Sequence, residues 1–145
     1  MEAIITIGIS GSGKSTWAND FVSKNKNYVI IEKDKIRSSI QNIDDGYVVW
    51  DLWRWSGEKT VNKKQTEMIN NCFENKQNII ISDTNISPKT RKYFEELFKQ
   101  NDYKIMYKYF DIDIGEAIKR DSLRKYPVGR PVIETQYKKY KEIKI

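Results

Sequence analysis

Near the start of the chain, Gly8-Ile9-Ser10-Gly11-Ser12-Gly13-Lys14-Ser15 has the spacing G-x-x-x-x-G-K-[ST]. That pattern suits phosphate. Its glycines let the backbone curl with N–H groups pointing inward, and the helix expected to follow adds its positive N-terminal end. Lys14 can bridge β- and γ-phosphates while the Ser15 hydroxyl ligates Mg²⁺. Gly8, Ser10, Gly11, Ser12, Gly13, Lys14, Ser15 and Thr16 are therefore the expected contacts of a nucleoside triphosphate, ATP or another NTP.

Three further groups could do chemistry beside such a cradle. Asp34 and Arg37 are three residues apart on a nascent helix, so they share one face. A carboxylate there can take the proton of an attacking hydroxyl, and a guanidinium can grip a neighbouring phosphate with two hydrogen bonds. The plain structural alternative is that Asp34 caps the helix and Arg37 is a surface residue paired back to it. Asp83, with Thr84 beside it, ends the apolar run Asn78-Ile79-Ile80-Ile81-Ser82, which aims it at the ligand crevice, near the acceptor or, through water, near Mg²⁺. Its alternative is an Asx-type turn in which Asp83-Thr84-Asn85 only shapes the loop. Arg120 and Arg124 lie one turn apart at a helix end, next to the loop Lys125-Tyr126-Pro127-Val128-Gly129. They can close over a γ-phosphate, or simply sit well at a helix C-terminus. The chain has no histidine, which leaves carboxylates as the leading general bases.

The elements that must position these groups are legible from periodicity and punctuation. Strands are expected over Ala3–Ile7, Tyr28–Ile31, Asn78–Ser82 and Tyr103–Phe110. Helices are expected over Ser15–Ser23, Asp34–Ile40, Glu58–Glu74, from a Ser87 N-cap and Pro88 to Gln100, from an Asp113 cap to Leu123, and over Pro131–Lys144. Strands separated by helices imply crossovers, a four-stranded parallel sheet and helices on both faces. The expected fold is thus α/β, a three-layer sandwich forming one domain over residues 1–145, with a lid segment around 120–131.

Composition narrows the class of protein. An apolar fraction of 39% and a charged fraction of 32% suit a globular protein, and no apolar run is long enough to span a bilayer. The N-terminus lacks the pattern of a secretory signal, and a lone cysteine offers no disulfide, so a reducing cytoplasm is expected. Cys72 falls in the helical stripe Met68, Ile69, Cys72, Phe73 and reads as a small core residue. Residues 119–145 hold nine basic residues against Asp121, Glu134 and Glu142, so that segment carries the whole net charge of +6. A basic segment suits a polyanionic partner, or is a solvated helix face.

Taken together, these segments resemble the kinase domain of bacteriophage-type polynucleotide 5′-kinases over essentially the full length. The carrying residues are Thr6-Ile7-Gly8 through Lys14-Ser15-Thr16-Trp17-Ala18, then Asp34-x-x-Arg37-x-Ser39-Ile40, Ile81-Ser82-Asp83-Thr84-Asn85, Phe110-Asp111 and Lys119-Arg120-x-Ser122-x-Arg124. The resemblance implies a P-loop kinase fold and transfer of the γ-phosphate of ATP, with Mg²⁺, to 5′-hydroxyl ends of DNA or RNA. It assigns Lys14 and Ser15 to the NTP phosphates and the metal, Asp34 as general base for the 5′-hydroxyl, Arg37 as ligand of the acceptor's 3′-side phosphate, and Arg124 as a lid arginine; Asp83 and Thr84 on the acceptor side and Arg120 at the nucleotide rest on the reading of the residues above. Lys14 and Arg124 would stabilise the transferring charge. It also implies a setting in nucleic-acid repair, in the cytoplasm of a phage-infected host cell, and leaves a homo-oligomer open.

Two departures stand out. The best-known relative carries a phosphatase domain after the kinase, and no D-x-D-x-[TV] signature occurs here, so no 3′-phosphatase activity is expected. The segment 46–57, with Tyr47, Trp50, Trp53, Arg54 and Trp55, diverges from the relatives. Its aromatics could stack on nucleobases or seal a helix against the core. The rival functions are a small-molecule kinase acting on a nucleoside, sugar, antibiotic or nucleotide sugar, and a nucleic-acid-binding NTPase with no acceptor. The last would have no need of the Asp34/Arg37 pair.

Overall fold

The computed structural model describes residues 1–42 and 47–143. Strands β1 (Glu2–Ile7), β2 (Tyr28–Ile31), β3 (Asn78–Ile81) and β4 (Lys104–Tyr109) form one parallel sheet in the order β2-β3-β1-β4. Six helices flank it: α1 (Lys14–Lys24), α2 (Lys33–Gln41), α3 (Glu58–Glu74), α4 (Pro88–Gln100), α5 (Ile114–Ser122) and α6 (Arg130–Lys141). Two 3₁₀ turns, Trp50–Leu52 and Trp55–Gly57, lead into α3.

Strand alternation explains the layering. On one face Ala3, Ile5, Ile79 and Ile81 pack with Ile69 and Cys72 of α3 and with Phe94 and Phe98 of α4. On the other, Ile4 and Ile80 meet Ala18 of α1. Each large side chain fully buried there contributes about 1.5–3 kcal/mol. Cys72 is a core residue, and burial pushes its thiol up. β4 departs from the expected two-sided cover: it is an edge strand whose Lys104, Met106 and Lys108 face water. That is why alternation is plain in β4 and absent in the Ile-rich β3.

Three local expectations need correction. Ser87 precedes α4 without a side-chain capping bond, so Pro88 alone marks that start. Asp34 is not a cap either: α2 begins at Lys33 and its cap position is Glu32. The last helix ends at Lys141, short of the expected extension, with Glu142 as its C-cap; Lys144, like Gly46 in the aromatic segment, lies outside the described residues. Asp113 does cap α5, accepting the Glu116 N–H at 3.2 Å.

Candidate active site

All four strands point their carboxyl ends at one edge of the sheet, the place where open α/β sheets take ligands. β1 delivers the phosphate loop to that edge. Gly11 (φ +80°) and Gly13 (φ +97°) hold left-handed backbone, and a Cβ on Gly11 would stand 2.7 Å from the Ala117 carbonyl. The loop is thus wedged against α5 by contacts that only glycine permits. Gly8 donates its N–H to the Thr84 carbonyl at 3.1 Å, joining the loop to the end of β3. Ser12 is buried and its N–H turns back to Ile9 O. The Ser10 N–H is met by Gln136 Oε1 of α6 at 2.8 Å. Thr16 is exposed on the first turn of α1.

Lys14 folds over the loop, donating to Ile9 O at 2.6 Å. Its pKa is pushed down to about 8, by burial first and the Arg124 guanidinium second, while Asp34, Asp83 and Glu32 pull the other way. Those residues therefore share one electrostatic neighbourhood although they come from four parts of the chain. A triphosphate bound against Lys14 would restore its proton, so binding above pH 8 takes one up. ATP affinity is expected to be flat up to about pH 8 and then to weaken by up to about tenfold per pH unit. Calorimetric titration across that range checks this, and a flat profile would mean that Lys14 keeps its proton in the free protein. The same shift acts on stability with the sign of a depressed cation: the cost is complete below about pH 8 and is relieved as pH rises towards 10.5.

Asp34, in the first turn of α2, accepts from Arg37 Nη1 at 2.7 Å. Arg37 is no loose surface residue, with its side chain 15% exposed. Glu58, at the start of α3, takes Arg37 Nε at 3.0 Å and Nη2 at 2.7 Å, so a two-pronged ion pair orients the guanidinium. That contact holds Glu58 below the usual carboxylate range. Trp53 Nε1 also helps keep Glu58 charged, although it is buried and makes no hydrogen bond of ordinary geometry.

Asp83 does more than shape a turn. Its Oδ1 accepts the first N–H of α2, from Lys33, at 2.8 Å, and its Oδ2 accepts from Gln65 Nε2 of α3 at 3.2 Å. One carboxylate therefore fixes β3, α2 and α3 together, and burial pushes it above its ordinary range. The turn itself is the work of Asn85. Buried, with φ +48°, it sends Nδ2 to the carbonyls of Thr6, Ile81 and Asp83. The Thr84 carbonyl faces the phosphate loop.

On the far side, the Arg120 guanidinium approaches Gly13 (Nη1 lies 3.9 Å from where a Cβ would be) and pairs with Glu116 at 3.1 Å. Arg124 lies just past the end of α5, 3.8 Å from the buried Asp121. Asp121 also receives the N–H groups of Val128 and Gly129, both at 3.0 Å, which ties down the loop between α5 and α6. Among the described residues, no group of three or more carboxylate, thiol or imidazole ligands gathers to hold a metal. Mg²⁺ asks for less when phosphate and water supply most of its ligands. The donor set fits that use: Ser15 Oγ bonds to Glu32 Oε1 at 2.9 Å, and Glu32 Oε2 is buried with no partner. Burial also raises the Glu32 carboxyl.

Several of these residues escaped the reading by motif. Gln65 left a trace, a polar residue in the buried stripe Val61, Gln65, Ile69, Cys72 of α3. Glu32 directly precedes α2, where a carboxylate favours a helix start and hides any other use. Asp121 left the same trace in α5, four residues beyond the buried Ala117. Asn85 enters the sequence reading only as the last residue of the Asp83-Thr84-Asn85 turn, and Glu58 and Gln136 carry no signal beyond their polarity.

A parallel β2-β3-β1-β4 sheet with a phosphate loop between its first strand and helix defines a P-loop kinase-like fold. A family profile described as "AAA domain" matches residues 4–143. The chain belongs to that family. It is 25% identical, over 98% of its length, to the protein named "Putative bifunctional polynucleotide kinase/RNA ligase" from Autographa californica nuclear polyhedrosis virus. It is 26% identical, over 94% of its length, to L-seryl-tRNA(Sec) kinase of Methanococcus maripaludis. Among solved structures, the Pnkp1/Rnl/Hen1 RNA repair complex contains a chain that superposes with a TM-score of 0.77 at 25% identity over 97% of this chain. The present chain spans 21% and 51% of the two curated relatives and 44% of the third protein. Among the described residues, no helix is long and apolar enough to cross a membrane.

Proposed function

We propose that this protein transfers the γ-phosphoryl group of ATP to the 5′-hydroxyl end of DNA or RNA. The observation that carries this reading is the meeting of a hydroxyl-activating pair with the phosphate cradle. Asp34, which pairs with Arg37 at 2.7 Å, favours the charged form of Lys14, and the Arg124 guanidinium opposes it. An NTPase that only hydrolyses or switches has no use for that pair. The likeness to the viral polynucleotide kinase/RNA ligase and to the RNA repair complex favours a nucleic-acid acceptor.

In the proposed reaction the 5′-oxygen attacks the γ-phosphorus in line and its proton passes to the Asp34 carboxylate. The bond from γ-phosphorus to the bridging oxygen breaks, and ADP leaves with the electron pair. Lys14 and Arg124 stabilise the charge that develops, Arg120 flanks the nucleotide, and Arg37 grips the phosphate on the 3′ side of the acceptor nucleoside. Asp83 and Thr84 border the acceptor side. Ser15 would hold Mg²⁺, with Glu32 and Asp83 as candidate partners through water, and the ion would supply further charge neutralisation. The segment 120–131 serves as a lid on this single domain.

A second reading keeps the chemistry and changes the acceptor, to a hydroxyl carried by an aminoacylated tRNA or a small molecule. The likeness to L-seryl-tRNA(Sec) kinase favours it. The test is direct: with ATP and Mg²⁺, 5′-hydroxyl oligonucleotides should acquire label from γ-labelled ATP, and 5′-phosphorylated ones should not. Equal labelling of both would place the acceptor elsewhere on the substrate.

A further inference from the structure

The aromatic segment before α3 divides into two kinds of residue. Trp53 is buried against Ile36, Val48 and Val61, and its ring lies 3.2 Å from where a Cβ on Gly57 would stand. It seals α2 against α3, as the plain reading of the segment expects. Trp55 does the opposite. It is 70% exposed, yet it is not isolated: its ring lies 6.4 Å from that of Trp50 at an interplanar angle of 29°, a loose stack with its outer face open. Trp50 in turn lies under Arg37, whose guanidinium carbon is 5.7 Å from the Trp50 ring centre and 6.0 Å from that of Trp53. A continuous path thus leads from Asp34 through Arg37 and Trp50 to the open face of Trp55.

We infer that Trp50 and Trp55 form a stacking platform for the acceptor strand, and that the base it takes is that of the second nucleotide, on the 3′ side of the phosphate gripped by Arg37. The inference rests on the proposed 5′-kinase reading for the direction of the strand. With the 5′-hydroxyl at Asp34 and the next phosphate at Arg37, the following nucleotide continues past the guanidinium towards the tryptophans. Each part of that nucleotide finds its match. The phosphate meets a cation already oriented by Asp34 and Glu58. The base meets an aromatic face, which suits any base because every base has a π-surface. Arg54, next to Trp55 and exposed, adds a cation for the following phosphate. A protein partner would equally value an exposed indole, but it would not need that indole in line with a phosphate-binding guanidinium. The platform would make the enzyme prefer an unpaired 5′ end, because a base held in a duplex has no free face to offer.

The test compares a 5′-hydroxyl dinucleotide, the same molecule with an abasic second nucleotide, and a nucleoside 3′-monophosphate. The wild-type protein and Trp55→Ala are studied by kinase rate and by quenching of tryptophan fluorescence, with Trp55→Phe as a variant that keeps a ring. In the wild type, the intact dinucleotide should have a KM about 5- to 30-fold below that of the abasic one, and only the intact one should quench strongly. Trp55→Ala should collapse that ratio towards one, and Trp55→Phe should restore part of it. Equal KM values for the two dinucleotides in the wild type would overturn the platform while leaving the 5′-kinase reading intact. Base-dependent quenching without transfer to any of the three acceptors would do the reverse: the platform would stand and the kinase reading would fall. If Trp55→Ala leaves the ratio untouched but abolishes a concentration-dependent self-association, the face is a contact between copies and the inference is wrong.

Discussion

Replacing Asp34 by Asn is expected to slow 5′-phosphoryl transfer by about 100-fold or more while leaving the fold and ATP binding close to normal. Asp34 is not the N-cap of α2, so no capping bond is lost. The bond it does make, from Arg37 Nη1 at 2.7 Å, ends on an oxygen that the Asn amide also offers. What the amide lacks is the ability to accept the proton of the attacking hydroxyl. Removing an acidic residue from the first turn of a helix costs about 0.3–1 kcal/mol, a small shift in thermal midpoint. With no histidine in the chain, no imidazole can take over. Thermal midpoint, nucleotide affinity and turnover measured side by side separate these effects. Near-normal turnover would remove Asp34 from the chemistry.

Arg37→Ala is expected to erase the preference for a nucleoside 3′-monophosphate over the plain nucleoside, a loss of about 2–3 kcal/mol or roughly 30- to 150-fold. The substitution also leaves Glu58 without the partner that keeps its carboxylate charged, so some stability goes with it. That loss affects both acceptors alike, which is why the ratio of the two is the informative quantity. Arg37→Lys supplies the control. It keeps a positive charge near Glu58 and Asp34 but not the planar fork, and should retain stability better than selectivity. A mutant that keeps the wild-type ratio would show that Arg37 serves only to join α2 to α3.

Much of the fold was legible because each element carries a local signal. Tyr28–Ile31, Glu58–Glu74 and Pro88–Gln100 lie where periodicity and punctuation place them, and the other strands and α-helices differ by one to three residues at their ends. The phosphate loop was equally plain, since its chemistry depends on contiguous residues and on backbone shapes that glycine alone adopts readily. The site around it was legible only in part, for a physical reason. Asp34 and Arg37 are neighbours on one helix turn, so their spacing predicts their contact. The bonds that fix them come from far along the chain: Glu58 to Arg37 across 21 residues, Glu32 to Ser15 across 17, and Gln136 to Ser10 across 126. No local pattern encodes such partners. The crossovers of the sheet bring them together, and each is a single polar residue of a kind that mostly lies on the surface. Asp121 shows the same limit. It lies on the apolar stripe of α5, four residues beyond the buried Ala117, but only the return of the chain at Val128 and Gly129 supplies the N–H groups that make it an anchor.

The acceptor is what separates the two readings. The most direct test of the 5′-kinase reading offers labelled ATP with Mg²⁺ to a 5′-hydroxyl oligonucleotide in competition with a nucleoside, a sugar and a seryl-tRNA, and compares kcat/KM for each. The oligonucleotide is expected to win by about 30-fold or more, the contribution expected of one well-placed charged contact such as Arg37. Efficient labelling of a small acceptor or of the seryl-tRNA, with the 5′-hydroxyl oligonucleotide left unlabelled, would contradict that reading.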